Sequence, residues 1–303
     1  MKIFITGGTG FVGRTLVVHL ITAGHLVTVL GRTTAAVQEK NLRQIQGDPG
    51  HPGPWQNELR DHDAVINLAG ASIFCRWNQA NRRKIFDSRI LTTRNVVDAL
   101  RLPGCQVKVL LNGSAVGYYG NRGEEELVES SCGGSGFLAE ICKAWETEAC
   151  RAEELGVRVV RCRLGVVLGN NGGALDKMTP LFRAGLGARL GSGRQWFPWI
   201  HQSDLVRIFA MLLDSQEISG AINCVAPETA TNLDLSRTLA MVLHRPLFLP
   251  PVPAFFLRLV QGEASSILLD SLRVSPRRLE HSGFIYKFPT LVLALTELLN
   301  SGK

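Results

Sequence analysis

Directly behind its first apolar run the chain reads TGGTGFVG, with Gly7, Gly10 and Gly13 three residues apart. Few features constrain a fold so tightly. A strand that passes into a helix through such a turn needs a residue free of Cβ at the bend. It also needs a backbone that a phosphate can approach, and a third glycine where helix and strand touch. The helix N-terminus then offers unpaired N–H groups and the positive end of its dipole to an anion. Gly7, Thr9, Gly10, Phe11, Val12 and Gly13 are therefore read as a loop that holds the pyrophosphate of a dinucleotide.

What surrounds the loop extends this reading. Apolar strands KIFITGG (2–8), HLVTVLGR (25–32), AVINLAGA (64–71), VKVLLNGSA (107–115) and VRVVRCRLGVVLG (157–169) alternate with helical patterns at about 10–23, 78–101 and 136–155. Continuous Val/Ile/Leu runs fit strands buried on both faces, and their alternation with helices implies a parallel sheet. The expected fold is α/β, a Rossmann-type doubly wound parallel sheet with a smaller, discontinuous C-terminal substrate unit. Residues 1–168 and about 201–226 would form the nucleotide-binding domain, and about 169–200 with 227–303 an interleaved cap. HQSDLVRIFAMLL is read as a helix with Ser203 or Asp204 as N-cap, and GAINCVA (220–226) as a further strand of the main sheet.

With 303 residues the chain can bury about 75% of its unfolded surface and needs no disulfide or metal to hold a core. Its seven cysteines are scattered and form no Cys-x-x-Cys pair, as expected of reduced thiols, and no metal site is expected. No apolar run approaches the roughly 18 residues of a membrane span. MKIFITGG enters a strand at once, leaving no room for a targeting peptide, so a cytoplasmic protein is expected. The formal charge of +7 is spread through helices without a nucleic-acid motif, so neither nucleic acid nor membrane is an expected partner. The densest basic stretch, RWNQANRRKIFDSR (76–89), is read as a solvated helix face in preference to an anion site.

The end of the second strand selects the nicotinamide cofactor. A site for NAD usually carries an acid there, about 20 residues after the loop, for the ribose 2′-OH. Here the sequence is VLGRTT, where Arg32 is followed by Thr33 and Thr34 with no acid nearby. A guanidinium beside hydroxyls suits a 2′-phosphate, so the cofactor is read as NADP(H).

With TGGTGFVG, the stretches NLAGA, GSAVGYYG, GFLAEICKAWE, RLGVVLG, GSGRQWFPWIHQSDL, APETATN and SPRRL make the chain resemble an extended short-chain dehydrogenase/reductase. More narrowly it resembles the atypical epimerase-family group related to human SDR39U1 and to bacterial proteins often labelled cell-division inhibitors. The resemblance implies that Leu68, Ala69 and Gly70 line the adenosine and ribose side of the cofactor, and that Gly113 and Ser114 face the nicotinamide. It further implies that Lys143 bonds the nicotinamide ribose and that backbone near Leu164 and Val166 meets the carboxamide. Gln195, Trp196, Trp199 and His201 would close over a small-molecule substrate, and a homodimer through the helices at about 78–101 and 136–155 would follow the family habit.

One residue departs from that pattern. In the usual enzyme a tyrosine stands four residues before the lysine, on the same helix face, and exchanges the proton that accompanies hydride transfer. Lys143 is present, but Ala139 fills the tyrosine slot. Tyr118, Tyr119 and His201 are candidates to replace it, with Ser114 as the substrate-orienting hydroxyl and Glu140 a weaker choice; each has a bland alternative as a packing or capping residue. Two functions stay open: an oxidoreductase on a small carbonyl or hydroxyl compound, and an NADP(H)-binding regulatory or scaffold protein without turnover. Sugar-nucleotide epimerisation suffers most from Ala139.

Overall fold

The computed structural model describes residues 1–33 and 39–300. Among them, β1 (Lys2–Thr6), β2 (Leu26–Gly31), β3 (Leu42–Gln46), β4 (Ala64–Asn67), β5 (Val109–Ala115), β7 (Arg158–Leu164) and β10 (Gly220–Cys224) form one parallel sheet. Two small pairs lie outside it: β6 (Glu126–Leu127) with β11 (Arg273–Val274), and β8 (Val166–Leu168) with β9 (Trp199–His201). The main order is β10-β7-β5-β4-β1-β2-β3, a Rossmann-type arrangement. The chain runs outward from β1 to β3, then returns to β4 on the other side of β1. That reversal opens a crevice beyond the carboxyl ends of β1 and β4, where ligands of such sheets bind.

The continuous apolar strands follow from burial on both faces. Ile3 and Ile5 point to one side, where they meet Leu16 and Leu20 of α1 (Phe11–Thr22) and Leu205 and Phe209 of α6 (Gln202–Asp214). Phe4 and Val65 point to the other, against Trp55 of α2 (Trp55–Glu58), Val96 and Val97 of α3 (Gln79–Leu100) and Ala149 of α4 (Phe137–Cys150). Each fully buried Ile, Leu, Val or Phe among them stabilises the fold by about 1.5–3 kcal/mol relative to exposure. A second apolar cluster gathers α5 (Gly173–Arg183), α7 (Asn232–Val242) and α11 (Leu291–Asn300) around Leu168 and Trp199. The short helices α8 (Ala254–Gln261), α9 (Ser266–Leu269) and α10 (Arg277–His281) complete the C-terminal third. Just before α9, Ala264 packs with Trp77, Ile85 and Ile141, fastening this segment to the sheet's helices.

One strand was not foreseen, and three expectations are corrected. β3, LRQIQ, is an edge strand with two of its five residues exposed and the others only half-buried, so it carries no apolar run to reveal it. The stretch 157–169 is two strands: at Gly165 the chain leaves the main sheet, and Val166 N–H donates to Pro198 O at 2.8 Å to begin the β8–β9 pair. The helix expected at 136–155 ends at Cys150. The N-cap of α6 is His201, whose Nδ1 accepts from Ser203 N–H at 3.0 Å. Asp204, one of the two expected caps, is instead wholly buried, accepting from the backbone N–H groups of Lys287 and Phe288 at 2.8 Å each.

Candidate functional site

The glycine loop is tight for a measurable reason. Gly7 has φ +73°, and a Cβ there would lie 2.7 Å from Ala69 N and from the Leu68 carbonyl carbon. A Cβ on Gly13 would fall 2.2 Å from Gly7 O. Gly10 caps α1 in extended conformation without a side-chain bond, and Thr9 and Gly10 are exposed, so the first-turn N–H groups face outward. Phe11 and Val12 are half-buried, and Gln202 Nε2 holds Phe11 O at 2.8 Å. A loop and helix terminus of this shape can receive an anion. Leu68 and Ala69 back it, and Gly70 is exposed beside them. At the end of β2, Arg32 and Thr33 are exposed; Thr34 lies outside the described residues. A Cβ on Gly31 would lie 3.9 Å from the Thr9 methyl, which places Arg32 next to the loop.

A buried polar chain ties the carboxyl ends of the central strands together. Thr6 Oγ1 donates to Asn67 Oδ1 (2.6 Å), and Asn67 Nδ2 donates to Thr93 Oγ1 (2.8 Å) and Asn112 Oδ1 (2.7 Å). Trp145 Nε1 also donates to Thr93 Oγ1, at 2.8 Å. The indole edge then fills the space beside Gly113, where a Cβ would sit 3.2 Å from it. These residues fix the floor of the crevice at the ends of β4 and β5; Thr6, Asn67 and Trp145 fall within the quoted motifs, but their bonds to one another could not be read from them.

Ser114, Tyr118, Tyr119 and Lys143 come together at the end of β5. The Ser114 hydroxyl donates to Glu146 Oε1 at 2.8 Å. Glu146 is gripped by Arg163, Nε to Oε1 at 2.8 Å and Nη2 to Oε2 at 2.9 Å, with both residues 3% exposed. Burial works against the Arg163 charge, but Glu146 outweighs it and the guanidinium becomes more basic. Arg163 Nη1 donates to Tyr119 OH at 2.9 Å, and Tyr119 OH donates to Asn223 Oδ1 at 2.7 Å. Burial raises the Tyr119 pKa, partly offset by Arg163. Tyr119 is thus a fully buried phenol whose hydroxyl is engaged within the core. Tyr118 differs: it is half-buried, its ring lies 3.6 Å under the Arg163 guanidinium, and its hydroxyl has no protein partner among the described residues. Gly133 touches both Tyr118 and Lys143, since a Cβ on it would lie 3.2 Å from Tyr118 OH and 2.5 Å from Lys143 Cε. Lys143 is exposed and donates to Gly134 O. Ala139, one turn before Lys143, is buried and carries no hydroxyl.

His201 belongs to another cluster. Its Nε2 donates to Glu297 Oε2 at 3.1 Å while Nδ1 accepts at the helix start, and burial lowers its pKa below 6.5. It borders an open cleft of about 390 Å³ with Thr15, His19 and Asn170, on the outer side of α1. Of the aromatics expected to wall a substrate pocket, Trp196, Phe197 and Trp199 together line one small cavity with Ala226, Glu228 and Arg273. Trp199 is 1% exposed within the second core, and Trp196 donates to Glu124 Oε2 at 2.7 Å. Gln195 Nε2 bridges Leu190 O and Leu268 O at 3.0 Å each. Leu164 stands in register with Ala115, and Val166 is half-buried just past the strand break. No cluster of three metal-ligating side chains occurs among the described residues, and no helix among them is long and apolar enough to cross a membrane.

Comparison with known proteins shows the family of the chain. The model of the NAD-dependent epimerase/dehydratase family matches residues 3–224, and that of a domain of unknown function, DUF1731, matches residues 252–298. The chain belongs to the NAD-dependent epimerase/dehydratase family. It is 37% identical over 305 residues to the chloroplastic SDR39U1 homolog of Arabidopsis thaliana, spanning 99% of this chain and 87% of that protein. It is 37% identical over 304 residues to the epimerase family protein YfhF of Bacillus subtilis, spanning 100% and 99%. The crystal structure of human epimerase family protein SDR39U1 with NADPH matches with a TM-score of 0.86 at 34% identity, covering 99% of both chains.

Within this epimerase-family chain the buried Glu146–Arg163 pair is the component that motif reading missed. A signal existed. Arg163 interrupts RVVRCRL, a run otherwise suited to a central strand, and a charge there must be paired inside the protein.

Proposed function

We propose that this chain is an NADP(H)-dependent oxidoreductase acting on a small carbonyl or hydroxyl compound, with Tyr118 exchanging the proton beside Lys143. The observation that carries the reading is the cradle of Gly7, Gly10 and Gly13 with Arg32 and Thr33 beside it and no acid at the end of β2. The NADPH in the human relative's crystal structure supports the same cofactor. When bound, the nicotinamide would supply or accept hydride at the substrate carbon.

The chain's own groups would do the rest. Arg32 and Thr33 would hold the 2′-phosphate, and the α1 N-terminus the diphosphate. Lys143 would leave Gly134 O for the nicotinamide ribose. In the reducing direction the Tyr118 hydroxyl would pass its proton to the substrate oxygen as hydride reaches the carbon. Ser114 already donates to Glu146, so its oxygen is left as an acceptor, suited to a substrate O–H and poorly suited to stabilising a carbonyl oxygen. Residues 169–200 and 227–303 would form the cap over the substrate, and self-association through α3 and α4 belongs to the same reading.

The test is fluorescence titration with NADPH and NADH of wild type and Arg32→Ala, followed by turnover of Tyr118→Phe across a carbonyl panel. Wild type should prefer NADPH, and Arg32→Ala should lose that preference. Tyr118→Phe should keep NADPH affinity while kcat falls by roughly 10²–10⁴. Equal affinity for the two cofactors in wild type would remove the NADP reading. NADPH binding without turnover of any compound would instead assign a regulatory or scaffold role.

A further inference from the structure

The basic stretch 76–89 resolves into residues with different fates. Arg76, Arg83 and Lys84 are exposed, Arg83 pairing with Asp87 at 3.3 Å, while Arg82 pairs with Glu263. Arg89 turns inward. Its guanidinium lies flat against Gly70, where a Cβ would fall 3.0 Å from Cζ, 3.2 Å from Nη2 and 3.3 Å from Nε. Trp145 closes the other side at 5.3 Å.

No carboxylate pairs with Arg89 among the described residues. Its bonds are to two backbone carbonyls, Ala71 O at 3.0 Å and Ile85 O at 3.1 Å, both from Nη1. Nε and Nη2 have no protein acceptor among the described residues, yet neither is among the buried nitrogens sealed from solvent without a partner. They therefore open outward, beside the exposed Gly70. Burial depresses the Arg89 pKa, the sign of a cation held without a compensating charge. Arg158 makes a useful contrast: its three carbonyl bonds include Leu212 O and Leu213 O, which close the end of α6 and account for it.

Position supplies the second argument. Sheet order puts β2 with Arg32 on one side of β1 and β4 with Gly70 on the other. Gly7 abuts Leu68 and Ala69, so the unpaired Nε–Nη2 edge stands across the phosphate loop from Arg32. Such an edge matches two oxygens of a phosphate or carboxylate. We propose that Arg89 is an anion-binding residue of the crevice, taking a phosphate or carboxylate of its occupant beyond the loop from Arg32. This rests on the cofactor reading only for the origin of the anion.

The experiment compares wild type, Arg89→Lys and Arg89→Met by NADPH titration, with adenosine 2′,5′-bisphosphate as a second probe that lacks the nicotinamide-side phosphate. If the anion is the cofactor's, Arg89→Met weakens NADPH by roughly ten- to a hundredfold. Arg89→Lys falls in between, and both variants keep wild-type affinity for the bisphosphate, which also reports that they are folded. If the anion is the substrate's, NADPH affinity is unchanged, while inorganic phosphate raises the Tm of the wild-type NADPH complex and not that of Arg89→Met. Unchanged NADPH affinity together with an unchanged phosphate effect overturns the proposal and leaves Arg89 as a packing residue. Should wild type bind no NADPH, the cofactor reading fails by itself, and the phosphate arm on the free protein decides for or against Arg89.

Discussion

The two ends of the crevice are built in opposite ways. Around Gly7 and Gly13 the site is made of what is missing: side chains are absent, the backbone lies bare, and a methyl group would collide with a carbonyl oxygen at 2.2 Å. At the end of β5 the site is full. Ser114, Glu146, Arg163 and Tyr119 are all buried and bond to one another, leaving Tyr118 and Lys143 at the margin. An end built by vacancy can only receive a ligand. An end built from mutually satisfied groups spends most of its chemistry on its own cohesion, so substitutions there should first be felt as lost stability.

The sharpest way to break that contrast is Glu146→Ala. It strands the Arg163 guanidinium and the Ser114 hydroxyl in the interior, and loss of one partner of a buried ion pair costs about 3–5 kcal/mol. Denaturant unfolding should show this loss; a change below about 1 kcal/mol would mean water reaches Arg163 and the cluster is not closed. At the empty end, Gly13→Ala meets backbone, which cannot rotate aside. Its expected cost is about 1–3 kcal/mol of overpacking. NADPH affinity should drop by roughly a hundredfold, read in the same fluorescence titration. Intact affinity would show that the loop can widen, and that α1 need not touch Gly7 for binding.

How much was legible in the sequence follows the same division. The glycine loop could be read because its geometry is local: positive φ and a close approach each demand glycine within a few residues. The alternating strands could be read because burial on both faces leaves continuous apolar runs. β3 lacked that signature, its residues being half exposed at the sheet edge. The break at Gly165 was hidden because apolar residues continue across it into β8, and only contact with Pro198 from a distant segment turns the chain. Glu146 and Arg163 lie 17 residues apart and are paired by tertiary packing, so neither announces its partner. His201 shows the limit from the other side. A histidine is an acid–base candidate because its ordinary pKa lies near neutrality, and here its two ring nitrogens are taken by a helix start and by Glu297.

The neighbouring tyrosines sharpen the comparison within a single turn. Tyr119→Phe removes the hydroxyl that joins Arg163 to Asn223, leaving buried polar groups unsatisfied, at a cost of about 1–3 kcal/mol. Tyr118→Phe removes a hydroxyl with no protein partner among the described residues, so stability should change by less than about 0.5 kcal/mol. Equal losses in thermal unfolding would show that Tyr118 belongs to the closed cluster, and its proposed role as proton donor would fall with that result.

The smallest effect is expected from His201. Burial lowers its folded pKa, so the native state keeps the ring neutral at pH values where the unfolded chain already binds a proton. The unfolded state therefore carries more protons between the ordinary value of 6.5 and the lower folded value, and stability falls as pH drops through that window. Above 6.5 the contribution is complete. His62, also depressed by burial, titrates in the same direction, so His201→Gln should reduce the slope without abolishing it. Urea midpoints measured from pH 7.5 to 5.5 check this. An unchanged slope in the variant would mean that Glu297 stabilises the protonated ring enough to cancel burial, and the outer cleft beside α1 would then hold a histidine able to change charge near neutral pH.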